Sequence, residues 1–540
     1  MTRDTSMLFL PVRADNVLVE LADLGEALAL FDALETNPVT GIREIIPAAR
    51  TLLISFDPGV ISEDALIDAV ATRAGGERKA ASGALVEIPV RYDGEDLAEV
   101  AGILRMSVEE VVRLHGESDY VAAFTGFAPG FAYLSGGDPR LTVPRRKSPR
   151  TQVPAGSVGL AGDFSGVYPK TSPGGWQLIG TTPLAMFDID RMPASVLQPG
   201  NRVRFRDMSK DAAYAIAAPT KVKTVDSINV DKAATAALEI LSIGLPVLFQ
   251  DLGREGQANQ GISMSGAVDR TSFKAANRLV GNPIDTPALE IALGGLVFRM
   301  RGSGVMALTG APAAITIASS AGVRISAAHH STVALDDGDV VSLGMPSTGM
   351  RSYLAVRGGF DVTPVLGSAA TDTLAQIGPA ALGRSDVIAI LPASLGSLVS
   401  PSELPAFDMP DMAETVVLDV VMGPRTDWFT EQAVASFLSQ KWSATPQSSR
   451  VGIRLGGEAL ERANHSELPS EATVRGALQV PASGQPVLFL ADHPLTGGYP
   501  VIANVAGHHL DLAGQIPVGA KIRFNAITSF APRYIPGKCP

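Results

Sequence analysis

The sequence predicts an α+β protein that is mainly β, with a small α/β domain at the N-terminus followed by β-barrel domains. Three observations support this. The chain has 54 Gly and 38 Pro but only 6% aromatic residues, a composition that favours turn-rich β structure over helical bundles. Its apolar segments are mostly short and are separated by Gly and Pro. A barrel-like ending also occurs twice, which indicates two related barrels.

Residues 1–80 are expected to form the small N-terminal domain. Strands are predicted at LFLPV, NVLVELA and IREIIPAARTLLISFD, and helices at GEALALFDALE and SEDALIDAVATRAG. Ser62 and Glu63 supply an N-cap signal for the second helix. The expected result is a sheet covered by helices.

Residues 81–207 are expected to form the first barrel. A strand at GALVEIPVRYDG is followed by two helices, EDLAEVAGILRM and SVEEVVRLHGES, and Ser107 with Glu110 makes a capping box for the second. The stretch from Phe124 to Pro183 then combines aromatic rings, cations and glycines, which suits close approach of a ligand to the main chain. An ordinary Gly/Pro-rich barrel rim would give the same pattern.

The second half of the chain is predicted to fold separately. Residues 208–235 are polar and Ala-rich and are expected to be a linker, 236–395 a first strand-rich region, 396–413 a hinge, and 414–540 a second barrel region. One helix is clear in it, DRTSFKAANRLVG, which ends at Gly281.

The repeat lies in the barrel endings, LQPGNRVRF at 197–205 and QIPVGAKIRF at 515–524. A Gly-x-Tyr-Pro at 166–169 also has a predicted counterpart at 497–500, although the second comes eleven residues later when measured from Gly156 and Gly476. One extra hairpin would fill that gap. Two facing barrels would form a pseudosymmetric cleft, a common place for a ligand.

Composition restricts the class of protein. A net charge of −11 argues against non-specific nucleic-acid binding. The single cysteine, Cys539, allows no intrachain disulfide and fits a reducing cytoplasm. No run of about eighteen apolar residues is present, and the N-terminal apolar segment is too short for a signal peptide. We therefore expect a cytoplasmic protein without membrane spans.

Several common catalytic motifs are missing: GxxxxGK[ST], GxGxxG between a strand and a helix, GxSxG and HExxH. The seven histidines include two His-His pairs, which we expect at strand ends or turns rather than on a metal. No metal site is predicted.

Candidate functional groups remain among the charged residues. Asp251, Asp269 and Asp492 lie beside Gly or Pro, where they either cap turns or act on a ligand. Glu290 lies in an apolar alternating run, so it is either paired or positioned for proton transfer. The cationic run Arg145, Arg146, Lys147 and Arg150 predicts an anion clamp, with a solvated loop as the alternative.

Longer motifs identify a family. GFAPGFAYLSG, DPRLTVPRRKSPRTQVPAGSVGLAG and SGVYPKTSPGGWQLIGTTP closely resemble the B subunit of bacterial ATP-dependent 5-oxoprolinase, a group also labelled allophanate hydrolase subunit 1 or the sporulation-kinase inhibitor family. VLFQDLGREGQANQGISMSGAVDRTSFKAANRLVGNP, ALEIALGG and ELPSEATVRGALQVPASGQPVLFLADHPLTGGYP resemble the C subunit, also labelled allophanate hydrolase subunit 2 or the biotin-dependent carboxyltransferase family. The chain therefore resembles a natural B–C fusion.

This resemblance implies cyclophilin-like barrels and two possible activities. In 5-oxoprolinase, the B and C components work with a separate A-type subunit to open the lactam of 5-oxoproline to glutamate, using ATP with Mg. In urea carboxylase, the same modules transfer a carboxyl group from carboxybiotin to urea, so biotin is expected only under that alternative. A third alternative is a binding protein that inhibits a kinase. A small amide or lactam substrate and an oligomeric assembly are expected.

The resemblance also suggests roles for matched residues. Arg145, Lys147 and Arg150 would hold phosphate or carboxylate, while Glu290, Asp251 or Glu471 would accept a proton. The turn amides expected to bind oxyanions are those of Gly156, Ser157, Gly174 and Gly175. Tyr168 and Tyr499 are expected to line the pocket, and Trp176 and Arg254 are further candidates for binding substrate or phosphate. One departure is Asp492-His493-Pro494-Leu495, where many relatives have an Arg-Gln-Thr run.

Overall fold

The computed structural model describes residues 7–75, 83–146, 148–209 and 236–536. Lys147, Cys539 and all but the first two residues of the predicted linker lie outside this described part. Within it, every helix is too short or too polar to cross a bilayer. The 34 strands against seven α-helices in these residues confirm the mainly β prediction.

The N-terminal unit is a sheet with two helices. Its elements are β1 (Met7–Arg13), β2 (Asn16–Glu20), α1 (Leu24–Thr36), β3 (Ile42–Pro47), β4 (Thr51–Phe56) and α2 (Glu63–Ala71). The segment predicted as one strand at 42–57 is an antiparallel hairpin, because the chain turns after Pro47, which has no N–H to extend the ladder. Ser62 caps α2 by accepting from Ala65 N at 3.3 Å, as predicted.

The next unit contains a seven-stranded sheet. Its elements are β5 (Leu85–Val90), α3 (Leu97–Leu104), α4 (Val108–Glu117), β6 (Tyr120–Thr125), β7 (Ala132–Ser135), β8 (Arg150–Val153), β9 (Ser157–Ala161), β10 (Phe164–Val167), β11 (Ser172–Gly174), β12 (Gln177–Thr181) and β13 (Arg202–Asp207). The order is β12-β9-β10-β7-β6-β13-β5. A bridge between Arg91 and Thr181 joins its two edges into a barrel. Ser107 caps α4 by accepting from Glu110 N at 3.2 Å.

The third unit has two sheets that enclose one apolar core. Its elements are β14 (Ala237–Ser242), β15 (Val247–Gln250), α5 (Arg270–Val280), β16 (Ala288–Ala292), β17 (Val297–Arg301), β18 (Gly304–Gly310), β19 (Ala313–Ala318), β20 (Arg324–Ala327), β21 (Thr332–Leu335), β22 (Val340–Pro346), β23 (Arg351–Val356) and β24 (Val387–Ala389). The predicted helix is α5. Asp269 caps its start, and Gly281 ends it with a φ of 73°.

The last unit is a closed barrel. Its elements are β25 (Thr415–Met422), α6 (Glu431–Ser439), β26 (Trp442–Ala444), β27 (Gly452–Gly456), β28 (Glu471–Ala472), β29 (Ala477–Gln479), β30 (Val487–Phe489), β31 (Thr496–Gly497), β32 (Val501–Val505), α7 (Leu510–Gly514) and β33 (Lys521–Thr528). A final strand, β34 (Arg533–Ile535), leaves this barrel and pairs antiparallel with β1. The end of the chain therefore completes the N-terminal sheet.

The two barrels repeat one topology. The closed order β25-β32-β29-β30-β27-β26-β33 matches that of the first barrel strand by strand, and in both the last strand runs parallel to the first. The repeat predicted at the barrel endings is thus present. The predicted pairing of the two Gly-x-Tyr-Pro segments is wrong, because the segment at 166–169 begins within β10 and continues past its end, whereas that at 497–500 directly precedes β32.

The topological counterpart of Gly497-Gly498-Tyr499 is Gly174-Gly175-Trp176. Each of these segments lies between a short two-stranded ribbon, β8 with β11 or β28 with β31, and the next barrel strand. Gly174 follows Gly156 by 18 positions and Gly497 follows Gly476 by 21, so no extra hairpin is needed.

The units are joined by direct hydrogen bonds from the 125–130 loop of the first barrel. Thr125 Oγ1 donates to Ala258 O at 2.8 Å, and Gly130 N donates to Gln260 O at 2.9 Å. Phe127 N donates to Thr496 Oγ1 of the last barrel at 3.0 Å. These bonds fix the third and last units beside the first barrel.

Candidate functional site

A cleft of about 460 Å³ lies where the N-terminal sheet, the segment 254–274 and the last barrel meet. We call it the interdomain cleft. Six cationic side chains and four carboxylates line it, namely Arg13, Arg43, Arg254, Arg270, Lys274, Arg475, Asp15, Glu44, Glu255 and Asp511. This positive excess favours an anionic ligand.

Three guanidinium groups in the cleft have N–H donors without a partner among the described residues, those of Arg254, Arg270 and Arg475. Arg254 is 2% exposed, and its Nη2 donates to Ala370 O, but its Nε and Nη1 have no hydrogen-bond partner among the described residues. Arg270 contacts Met264 Sδ at 3.2 Å, and in the same described part its Nε has no partner. Burial lowers the pKa of Arg254 and of Arg270, that of Arg270 to about 10. Because unpaired buried donors are costly, a carboxylate or phosphate would stabilise these two groups.

Arg13 and Arg475 are each paired with a carboxylate of the cleft. Arg13 binds Asp15 at 2.6 Å, and Arg475 binds Asp511 at 3.0 Å. Asp511 also accepts from Thr271 N at 3.0 Å, which fixes the first turn of α5 and hence the position of Arg270. These pairs shape the cleft, while Arg254 and Arg270 offer its binding capacity.

His493 also lines the interdomain cleft. Its Nδ1 lies 3.0 Å from Pro494 O, and since a carbonyl only accepts, Nδ1 carries the proton and Nε2 carries a lone pair. Burial lowers the pKa of His493 to about 4, so the ring is neutral at pH 7. A neutral imidazole of this tautomer, in a cleft that Arg254 and Arg270 also line, can accept a proton from a bound reactant.

The predicted proton acceptor Glu290 is paired. Its Oε1 binds Arg450 Nη1, and its Oε2 accepts from Tyr353 OH at 2.8 Å and Val268 N at 3.1 Å. Burial alone would raise the pKa of Glu290, but Arg450 and Arg351 lower it overall. Of the two alternatives left open by the sequence, the structure shows the paired one.

Asp492 shares Arg450 with Glu290. It accepts from Arg450 Nη2 at 2.9 Å, from Ser265 Oγ at 2.6 Å and from Thr373 N at 2.9 Å. Burial would raise the pKa of Asp492, and Arg450 lowers it below its usual value. Arg450 thus joins the third unit to the last barrel directly behind the cleft.

Asp251 and Glu471 also have structural partners. Asp251 accepts from Gly253 N at 2.8 Å and Ala369 N at 2.6 Å, so it caps the turn that carries Arg254. Glu471 binds Arg425, whose Nη1 donates to Glu20 Oε2 at 2.6 Å. Burial raises the pKa of Glu471, and Arg425 opposes that rise.

The cationic run does not converge on one site. Arg146 and Arg150 both bind Asp96 Oδ1 at 2.7 Å, whereas Arg145 Nε binds Glu467 of the last barrel at 2.8 Å. The last barrel has a charge-reversed counterpart of the pair Arg150–Asp96. Arg150 pairs with Gly174 across the ribbon of β8 and β11, and Glu471 pairs with Gly497 across the ribbon of β28 and β31. Arg150 binds a carboxylate, whereas Glu471 binds the guanidinium group of Arg425.

The predicted turn amides and rings are mostly engaged within the protein. Gly156 N donates to Tyr168 O at 2.7 Å, Ser157 N donates to Pro154 O at 3.3 Å, and Gly175 O accepts from Arg146 N at 2.8 Å. Gly174 lies in β11. Tyr168 is 1% exposed and packs with Trp176 in an aromatic cluster around Phe131.

Tyr499 is more open, at 38% exposed, with the Arg462 guanidinium 5.7 Å from its ring centroid. A Cβ added to the adjacent Gly498 would lie 2.7 Å from Arg145 Nη1, so Arg145 and Tyr499 are neighbours at the junction of the two barrels. Among the predicted site residues that the structure describes, Arg254 is the one that lines the interdomain cleft.

Sequence analysis missed Arg270 and His493. Arg270 directly follows the helix-capping Asp269, and His493 lies in the segment noted for its departure from relatives. That departure was a usable signal for His493. Both His-His pairs lie in turns, as predicted.

Comparison with known proteins covers nearly the whole described fold. Residues 7–197 match the family described as carboxyltransferase domain, subdomain C and D, and residues 260–526 match carboxyltransferase domain, subdomain A and B. The crystal structure of TTHA0988 superposes with a TM-score of 0.80 at 33% identity, covering 94% of this chain and 99% of that one.

Named relatives match the two halves separately. The C subunit of 5-oxoprolinase from Escherichia coli is 35% identical, over 53% of this chain and 90% of its own length. The B subunit of 5-oxoprolinase from Bacillus subtilis is 42% identical, over 34% of this chain and 82% of its own. Urea amidolyase of Saccharomyces cerevisiae is 32% identical over 57% of this chain, but the match spans 17% of that protein.

Proposed function

Because this chain belongs to the carboxyltransferase-domain family and carries parts similar to the B and C components of 5-oxoprolinase, we propose that it is the B–C component of an ATP-dependent 5-oxoprolinase. With a separate A-type subunit it would open the lactam of 5-oxoproline to glutamate. One observation carries the proposal. The interdomain cleft is lined by residues from both halves of the chain, and its Arg254 and Arg270 have buried N–H groups without a partner among the described residues.

The groups in the cleft fit this chemistry. The carboxylate of 5-oxoproline would bind Arg254 and Arg270, which hold the lactam beside His493. ATP with Mg is the co-substrate of the assembled enzyme and phosphorylates the lactam oxygen. Water would then attack the activated carbon, His493 Nε2 would accept its proton, and the C–N bond would open to leave the protonated amine on an acyl phosphate of glutamate. A second water would hydrolyse this acyl phosphate to glutamate and phosphate.

The test of this proposal is ATP-dependent glutamate formation by the purified chain, with and without the A-type subunit from the same genome. We expect glutamate only when both proteins are present, because the chain has no GxxxxGK[ST] loop of its own. Absence of glutamate from the mixture, with an A-type subunit shown to hydrolyse ATP, would contradict it.

Carboxyl transfer is the second candidate, favoured by the family description and by the match to urea amidolyase. The same guanidinium groups would then bind the carboxyl group during its transfer from carboxybiotin to an amide nitrogen. Biotin would have to be supplied by a partner, since this sequence has no Met-Lys-Met segment. Urea-dependent decarboxylation of a carboxybiotinylated carrier protein by the chain would support this candidate.

Two anion sites remain in competition, the cleft and the predicted clamp of Arg145, Lys147 and Arg150. Under our assignment, Arg254→Met raises the KM for 5-oxoproline about 10- to 100-fold, since charge-assisted hydrogen bonds contribute about 1.5–3 kcal/mol. Arg145→Met, which removes the pair with Glu467 and a 3.3 Å hydrogen bond to Ser470 Oγ, should change KM less than about threefold. Steady-state kinetics of the assembled enzyme measure both, and the reverse pattern would favour the clamp.

A further inference from the structure

We propose that Asp419, His508 and His509 form a binding site for a divalent transition metal such as Zn²⁺, apart from the interdomain cleft. One ligand atom from each residue lies within 4.8 Å of the others. His508 Nε2 is 2.9 Å and His509 Nδ1 is 3.7 Å from Asp419 Oδ2. Ligand atoms of a tetrahedral zinc ion are about 3.4 Å apart, given bonds of about 2.1 Å, so small side-chain shifts suffice.

The surrounding fold holds these side chains in place. Asp419 lies on β25, and Asn525 of the adjacent β33 donates to its Oδ1 at 2.7 Å, which leaves Oδ2 for the metal. Such outer hydrogen bonds orient metal ligands. His508 and His509 lie on the 3₁₀ turn Gly507–His509, which is tied to β25 by a bond from Ala506 N to Asp419 O of 2.8 Å.

The donor set selects the class of metal. His509 Nδ1 accepts from Asp419 N at 2.9 Å, so this nitrogen is unprotonated and can exchange that hydrogen bond for a metal. Two imidazoles and one carboxylate suit Zn²⁺, Ni²⁺ or Cu²⁺, whereas Mg²⁺ and Ca²⁺ prefer oxygen ligands. His508 is more than half exposed, so the site is accessible and water can complete the coordination.

The site lies next to residues that line the interdomain cleft. Gly507 and Asp511, on either side of the two histidines, line the interdomain cleft, and Asp511 holds the start of α5. A bound metal would fix the turn that carries this wall of the cleft. Metal binding is therefore expected to stabilise the last barrel, whether or not the proposed activity is correct.

Calorimetric titration of Zn²⁺ into the EDTA-treated, dialysed full chain tests this site. We expect one equivalent to bind and to raise the midpoint of thermal unfolding. His508→Ala and the isosteric Asp419→Asn should each weaken binding at least about tenfold, and Asn525→Ala should weaken it by a similar factor through the carboxylate. Circular dichroism establishes that the variants are folded.

His465→Ala is the matched control, because it removes an exposed imidazole elsewhere on the last barrel and should leave the affinity unchanged. No binding at about 1 mM Zn²⁺, a concentration far above the affinity of a built zinc site, would overturn the proposal. Equal affinity in the wild type and in Asp419→Asn would overturn it as well, since the metal would then bind elsewhere.

Discussion

Replacing Arg450 with methionine is expected to lower the free energy of unfolding by about 3–5 kcal/mol, the largest stability effect that we predict. Arg450 is buried and bonded to both Glu290 and Asp492, so its loss leaves two carboxylates in the interior without this cation. Glu290 keeps the more distant Arg351, at 3.6 Å, and the hydrogen bond from Tyr353, and Asp492 keeps the bond from Ser265, but these contacts do not replace the direct bonds to Arg450. Urea-induced unfolding followed by tryptophan fluorescence measures the change.

The control for this variant is Arg523→Met, at an exposed position on β33, which should shift stability by less than about 0.5 kcal/mol. Adding Glu290→Gln and Asp492→Asn to Arg450→Met should recover part of the loss, because neutral amides are less costly to bury than carboxylates. If Arg450→Met alone were as stable as the wild type, the network would not hold the two units together.

The second large effect is expected at His493. Under the proposed function, His493→Gln lowers kcat about 10²- to 10⁴-fold, since it removes the base, while KM for 5-oxoproline changes little because Arg254 and Arg270 remain. His465→Gln, at an exposed position, is the matched control. A kcat within about threefold of the wild type would exclude His493 as the base.

The pH dependence provides a separate test of the His493 environment. Its pKa of about 4 lies below the unfolded value of about 6.5, so between these values the unfolded state binds more protons. Stability therefore falls as pH decreases from about 6.5 to about 4, and His493→Gln should reduce that slope. The kcat/KM of the wild type should stay level down to about pH 5.

The sequence by itself determined local features of this fold, such as where helices begin and end. Helix α4 begins at its capping Ser107 and α5 ends at Gly281, because caps and turns depend on side chains only a few positions away. The repeated barrel endings were also visible, since the same parallel strand closes both barrels. The family motifs could also be recognised, because each is a continuous segment of the sequence.

Tertiary structure alone decided which distant groups meet. Glu290 was recognisable as an unusual acid, but its partner Arg450 is 160 positions away, and β1 pairs with a strand near the other end of the chain. The cationic run was found, yet its three described arginines are bound by Asp96 and Glu467. Hydrogen-bond geometry within an element is set by neighbouring residues, whereas the pairing and burial of charges depend on how whole units dock. Only that docking brings Arg254 and His493 to one cleft.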